Sequence, residues 1–168
     1  MFVTYSPEEV AELAVAGSKN KKNIPVSQEE KLFHSIKHVR LFDNIETADV
    51  LSVIADVKIN RYAANDILEI GGADAKDRIY YIITGSLAMP LDSDNHVELG
   101  KDQVFGEVSY FTKTVTHKTL HISEDNTMIF SFKINKNGAT RDNSHAFITF
   151  YEELIRYTAN KLLWFEMA

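Results

Sequence analysis

The segment Phe105-Gly106-Glu107-Val108-Ser109-Tyr110-Phe111 puts a glycine, a carboxylate and a short apolar turn between two strand-like stretches. Those residue types in that order can hold a phosphorylated sugar. A glycine lets the backbone approach a ligand with no Cβ in the way, and the turn behind it can aim several N–H groups at one anion. Glu107 can then accept hydrogen bonds from sugar hydroxyls. The heptapeptide also allows a plainer reading, a tight loop carrying a solvated glutamate, and its surroundings must decide between the two.

Two histidine pairs offer a different chemistry. His34 and His38 stand four apart on a predicted helix, and His117 and His121 share one face of a predicted strand, so each pair could give imidazoles to a metal. Neither pair has an evident third ligand. Position 35 is serine where a zincin helix would carry glutamate, and the clustered His-x-His pattern of metal-binding cupins is missing. No metal is therefore expected. With no P-loop, no Gly-x-Ser-x-Gly elbow and no convincing pair of carboxylates, the chain does not read as an enzyme. A cupin-like metalloenzyme is the enzymatic alternative.

These residues need a scaffold. The chain has 168 residues, 45% of them hydrophobic and 11% aromatic, which is enough for one buried core and too little for two ordinary domains. A net charge of -6 gives no basic field to gather nucleic acid, so any anionic ligand needs a local cation. There is no cysteine, which removes disulfides and thiolate sites and is compatible with a reducing cytoplasm, the expected location. No signal peptide is evident, and no run approaches the roughly 18 apolar residues of a membrane span.

Helical periodicity fills the N-terminal third. Ser6-Pro7-Glu8-Glu9 reads as the capped start of a helix carrying Val10, Leu13 and Ala14 and stopped by Gly17. A polar linker follows at 19–23, and the capping box Ser27-Gln28-Glu29-Glu30 opens a second helix with Leu32, Phe33, Ile36 and Val39 on one face. A third helix is expected from a Thr47 cap, with Leu51, Ile54 and Ala55 inward. From Val57 the period becomes extended, with strands expected at 57–62, 67–70, 79–84, 87–91, 96–99, 116–123 and 127–134, separated by Asn, Asp, Gly and Ser turns. Ser144 caps a last helix to about residue 166, with Phe147, Tyr151, Leu154, Thr158, Leu162 and Phe165 recurring at helical spacing. The fold class is mainly β with flanking helices: a β-roll of the jelly-roll or double-stranded β-helix kind, preceded by short helices and followed by a long one. Residues 1–30 form the helical extension and linker, and residues 31–168 the domain itself.

This order, with Leu41-Phe42-Asp43-Asn44-Ile45 before the first roll helix, Tyr80-Tyr81-Ile82-Ile83-Thr84-Gly85 at a central hairpin and then Phe105-Gly106-Glu107, resembles the cyclic nucleotide-binding domain family of the cAMP receptor protein type. The resemblance covers roughly residues 33 to 165. It implies a β-roll whose turn after strand six grips a cyclic phosphate, followed by a helix that closes over the base or dimerises. Carried onto this sequence, it implies that Phe105, Gly106, Val108 and Ser109 surround the phosphate and that Glu107 partners the ribose 2'-hydroxyl. The family's other anchor is an arginine about nine or ten residues later, a charge-assisted donor to the phosphate. Here that place is held by Thr116 or, one residue on, His117. Lys118 is the nearest cation, and if Leu120 and Ile122 point into the roll then Lys118 shares their face. A lysine lacks the planar fork of arginine, so its grip on phosphate would be less specific. Asn65 replaces a family glycine and tolerates left-handed geometry, and the loop 71–77 is one residue longer than usual.

The resemblance implies a stand-alone regulatory domain that senses cAMP or cGMP and signals through a helical surface to a partner protein. The alternative is a domain that has lost the nucleotide and serves as a protein-interaction module. The chain ends at Ala168 without a helix-turn-helix, so no DNA binding is expected. The aromatic-rich last helix, with Phe147, Phe150, Tyr151, Tyr157, Trp164 and Phe165, serves either as a homodimer surface or as core folded back on the roll; both stay open. Finally, Tyr5 to Ala14 and Lys21 to Pro25 resemble the cytoplasmic N-terminal helix of formate/nitrite channels, whose membrane spans are absent here.

Overall fold

The computed structural model describes residues 32, 34–72, 74–114 and 117–167. The expected first helix, the linker and the capping box at 27–30 lie outside them, as does Thr116. A helical stretch reaches residue 36, and a 3-10 turn follows at Arg40–Phe42. The elements after it are α1 (Thr47–Val53), β1 (Ile54–Tyr62), β2 (Ile67–Ile70), α2 (Asp74–Asp77), β3 (Arg78–Thr84), β4 (Leu87–Pro90), β5 (His96–Leu99), β6 (Val104–Phe105), α3 (Glu107–Thr112), β7 (Lys118–Ile122), β8 (Thr127–Ile134) and α4 (Ser144–Met167). The strands form two four-stranded sheets, ordered β1-β8-β3-β6 and β2-β7-β4-β5. This is the expected β-roll between short helices and a long one.

The burial pattern explains why these segments became strands. β5 and the latter part of β7 alternate exposed and buried residues, as strands with one wet face do. By contrast, β3 and β8 are buried almost throughout, which suits their high Ile, Tyr, Phe and Met content. Asn65 takes the left-handed backbone its side chain tolerates, at φ 71°. Gly85 does so at φ +85°, and any Cβ there would strike Thr127.

Three local expectations change. Glu46, in extended geometry and without a side-chain cap bond, precedes α1, whose buried face is Val50 and Val53 rather than Leu51, Ile54 and Ala55. Ile54 already belongs to β1. Asp56, at φ 50°, interrupts the alternation in the manner of a bulge, so buried residues fall at 54, 57 and 59, and the first interval imitates a helix. The loop at 71–77 contains the single turn α2, and the turn after Phe105 is the six-residue helix α3.

The chain divides into two compact units, one spanning Asn60–Ser131 and the other formed by residues up to Ile59 together with Phe132 onward. In the discontinuous unit, Phe42, Phe132 and Phe150 meet with ring centroids 5.6, 6.0 and 5.9 Å apart. The Asn135 amide donates to the Val53 carbonyl at 2.7 Å. Glu153, buried on α4, accepts from Asn44 Nδ2 at 3.1 Å and from Arg156 Nη1 at 2.7 Å through the same oxygen. The core face of α4 is Ala146, Phe147, Phe150 and Leu154. Leu162, expected on that face, is 52% exposed. Fifteen residues at 3.6 per turn carry it roughly 60° round the helix from Phe147. It joins Ile148 and Ile155 in an exposed apolar stripe at seven-residue spacing. The side chains of Trp164 and Phe165 lie outside the described residues.

Candidate functional site

The site is built within the 60–131 unit, on the antiparallel pair of β3 and β6. Tyr80 stands opposite Phe105 and Tyr81 opposite Val104. The paired rings of Tyr80 and Phe105 stack with centroids 4.8 Å apart and planes 9° from parallel, the close cross-strand contact that fixes register. On the other side of the strand, Tyr81 donates to Asp102 Oδ1 at 2.6 Å. The Gly100 amide donates to Gln103 Oε1 at 2.5 Å. These bonds tie down the loop that delivers β6.

Gly106 then turns the chain. Its φ is +86°, and a Cβ there would lie 2.8 Å from the Arg78 carbonyl oxygen and 3.0 Å from the Tyr80 ring. No other residue type passes so close to β3 in that conformation without strain. The glycine that the sequence singled out as a point of close approach does approach closely, and the neighbour it meets is the protein's own β3.

Helix α3 buries Glu107 and Tyr110 and leaves Val108 and Phe111 outside, 49% and 43% exposed. Ser109 is half-buried. Glu107 is 0% exposed, so the plainer reading of a solvated glutamate does not describe it. The helix closes with the Thr112 hydroxyl donating to the Val108 carbonyl at 2.8 Å and with Lys113 in left-handed geometry, its Nζ 4.2 Å from the centre of the Tyr110 ring.

The downstream residues behave differently from one another. His117 is exposed, and its ring packs where a Cβ on Gly71 would stand. Lys118 is half-buried on the same face of β7 as Leu120 and Ile122, as strand parity predicts, and its Nζ lies 3.9 Å from Met89 Sδ.

Sequence reasoning passed over Arg78. It opens β3, is only 2% exposed, and donates from Nη1 to Ser131 Oγ at 3.2 Å. Arg78 Nε and Glu107 Oε2 are buried and make no hydrogen bond, and both residues take part in other interactions. The available signal was parity. Arg78 shares its strand face with Tyr80 and Ile82, so a solvated arginine was never the natural outcome.

His34 and His38 meet edge to face at 5.1 Å. Among the described residues no three His, Asp or Glu side chains gather as a metal site would require, and no helix is long and apolar enough to cross a membrane.

No protein-family model matches the chain, and no curated protein matches it in sequence. Solved structures do match it in shape. The catabolite activator protein of Thermus thermophilus superposes with a TM-score of 0.52 at 15% identity, over 76% of this chain and 60% of that one. The regulatory domain of Toxoplasma gondii PKA, crystallised with cAMP, gives 0.50 at 14% identity, over 77% of this chain and 48% of that one. The chain thus spans 48 to 60% of the length of these two proteins. The fold is that of cyclic nucleotide-binding domains. A likeness to formate/nitrite channels finds no support, and the residues that suggested it lie outside the described ones.

Proposed function

We propose that the chain is a regulatory, non-catalytic domain that works through contact with a partner protein and holds its phosphate-type turn without a cyclic nucleotide. The observation that carries this reading is the burial of Glu107. A carboxylate with no accessible surface has none to offer a ribose hydroxyl. The arginine that would complete an anion site is replaced by Thr116 or His117, and the amino group of Lys118 sits beside Met89 rather than free to meet a phosphate. The exposed stripe of Ile148, Ile155 and Leu162 on α4 supports a role in protein contact, because a helix whose outer face is apolar at seven-residue intervals suits another helix.

A second reading, a receptor for cAMP or cGMP, is favoured by the left-handed Gly106 and by the inward parity of Lys118. Thermal unfolding separates the two. A nucleotide at about 100 times its dissociation constant adds roughly 2.7 kcal/mol to stability. The first reading expects no shift with millimolar cAMP or cGMP; a reproducible, concentration-dependent rise would replace it with the second.

A further inference from the structure

We infer that Arg78 is the internal counter-charge of Glu107, and that this pair does inside the molecule what a bound phosphate ester would otherwise do, holding α3 against β3. The inference deepens the reading above by supplying the cation that it leaves unnamed.

Register carries the first step. With Tyr80 opposite Phe105 and Tyr81 opposite Val104 in antiparallel pairing, one further two-residue step along each chain brings Arg78 opposite Glu107. Paired residues in such a ladder share a face, so the step lands on the side where Tyr80 and Phe105 stack. Although α3 begins at Glu107, the chain has not yet left β3, because Gly106 still packs against the Arg78 carbonyl.

Charge carries the second step. Arg78 is 2% exposed and Glu107 0%, and among the described residues of the 60–131 unit these are the buried charged side chains. Arg78 brings a planar fork of donors that matches the two oxygens of a carboxylate. A buried charge is tolerated when it is paired and hydrogen-bonded, and two opposite ones in a single small unit satisfy each other at least cost. The hydrogen bond from Nη1 to Ser131 Oγ anchors one corner of the guanidinium inside this unit. Of the lysines near the turn, Lys118 lies toward Met89 and Lys113 over the ring of Tyr110. Glu107 therefore acts as a positioning residue for α3, through Arg78.

A double-mutant cycle on the full chain tests the pair. Arg78→Met and Glu107→Gln each strand one member of a buried pair and should lower the unfolding midpoint by roughly 10 °C. The double variant should lose no more than half the sum of the two single losses. Strictly additive losses would overturn the inference. Should a single variant fail to fold, proton NMR of the wild-type chain gives the second readout. Contacts between the Arg78 δ-protons and the Glu107 γ-protons are expected, and their absence in an assigned spectrum overturns the pairing. Arg78→Lys, which keeps the charge, should cost less than Arg78→Met, and an equal cost counts against an ionic role. Melts of wild type with cAMP and cGMP keep the two claims apart. A nucleotide shift alongside a coupled cycle removes the nucleotide-free reading and leaves the pair; an additive cycle without any shift does the reverse.

Discussion

Replacing Gly106 by alanine perturbs the turn at its tightest point. The left-handed backbone, at φ +86°, costs an L-residue about 1–2 kcal/mol. The new methyl would sit 2.8 Å from the Arg78 carbonyl oxygen, a backbone atom that cannot rotate away, and 3.0 Å from the Tyr80 ring. Overpacking of this kind adds about 1–3 kcal/mol, so the expected loss is about 2–5 kcal/mol. Against a typical total of roughly 5–15 kcal/mol that is a large share, and it should appear as a fall in melting midpoint of roughly 5–15 °C. Urea unfolding followed by circular dichroism measures it, with Gly100→Ala as the control. Gly100 has an ordinary φ, and a methyl added there would meet nothing within 4 Å, so its loss should stay within about 0.5 kcal/mol. If the two variants were equally stable, the close approach of the turn to β3 would be wrong. So would the register argument that places Arg78 opposite Glu107.

Phe150, fully buried between Phe42 and Phe132, should lose about 3–5 kcal/mol on replacement by alanine in the same urea assay. If Ile148, Ile155 and Leu162 meet a second copy of the chain, sedimentation at tens of micromolar should show a species of twice 19.1 kDa that Ile155→Asp returns to the monomer. A wild type that stays monomeric removes self-association and leaves the stripe to a different protein. The Asp92 carboxylate accepts from the Asn95 side chain and from the amides of Asp94 and Asn95, which together hold it below the ordinary carboxylate range. Its lowered value means that the stabilisation is present above the ordinary Asp range and lost as pH falls through the lowered midpoint. An NMR titration should find that midpoint below 3.8, and Asn95→Ala should raise it. An unchanged midpoint in that variant would contradict the assigned cause.

Periodicity made part of the roll legible because β5 and β7 follow the rule of two, and turn residues such as Asn65 and Gly85 declared their left-handed geometry by type alone. The order of these signals, rather than any one of them, pointed to the fold. What stayed hidden was what depends on who stands opposite whom. Arg78 follows Asp74, Lys76 and Asp77, a run that reads as solvated surface, and the parity that sets it on the face of Tyr80 and Ile82 counts only once β3 is known to begin at Arg78 rather than at 79. β6 itself is two residues long, too short for any alternation to announce it. Glu107 is likewise ambiguous in sequence, because a carboxylate after a glycine looks the same whether water, a sugar or an arginine awaits it. Its burial is a tertiary fact. The early start of β1 was concealed by Asp56, whose backbone turns a spacing of two into a spacing of three.

The division of the chain into a continuous middle unit and a unit made from both ends sets an order of events during synthesis. The segment 60–131 leaves the ribosome whole and can close on itself at once. Leu41 and Phe42, buried in the finished protein, have by then been waiting, because Phe132 and Phe150 are translated afterwards. The nascent chain therefore carries a bare apolar patch, Leu41 and Phe42 and then Phe132, until α4 arrives. A stop codon shortly before Ser144 would leave that patch permanently open, and the fragment should be captured by chaperones or aggregate even though its middle unit is intact.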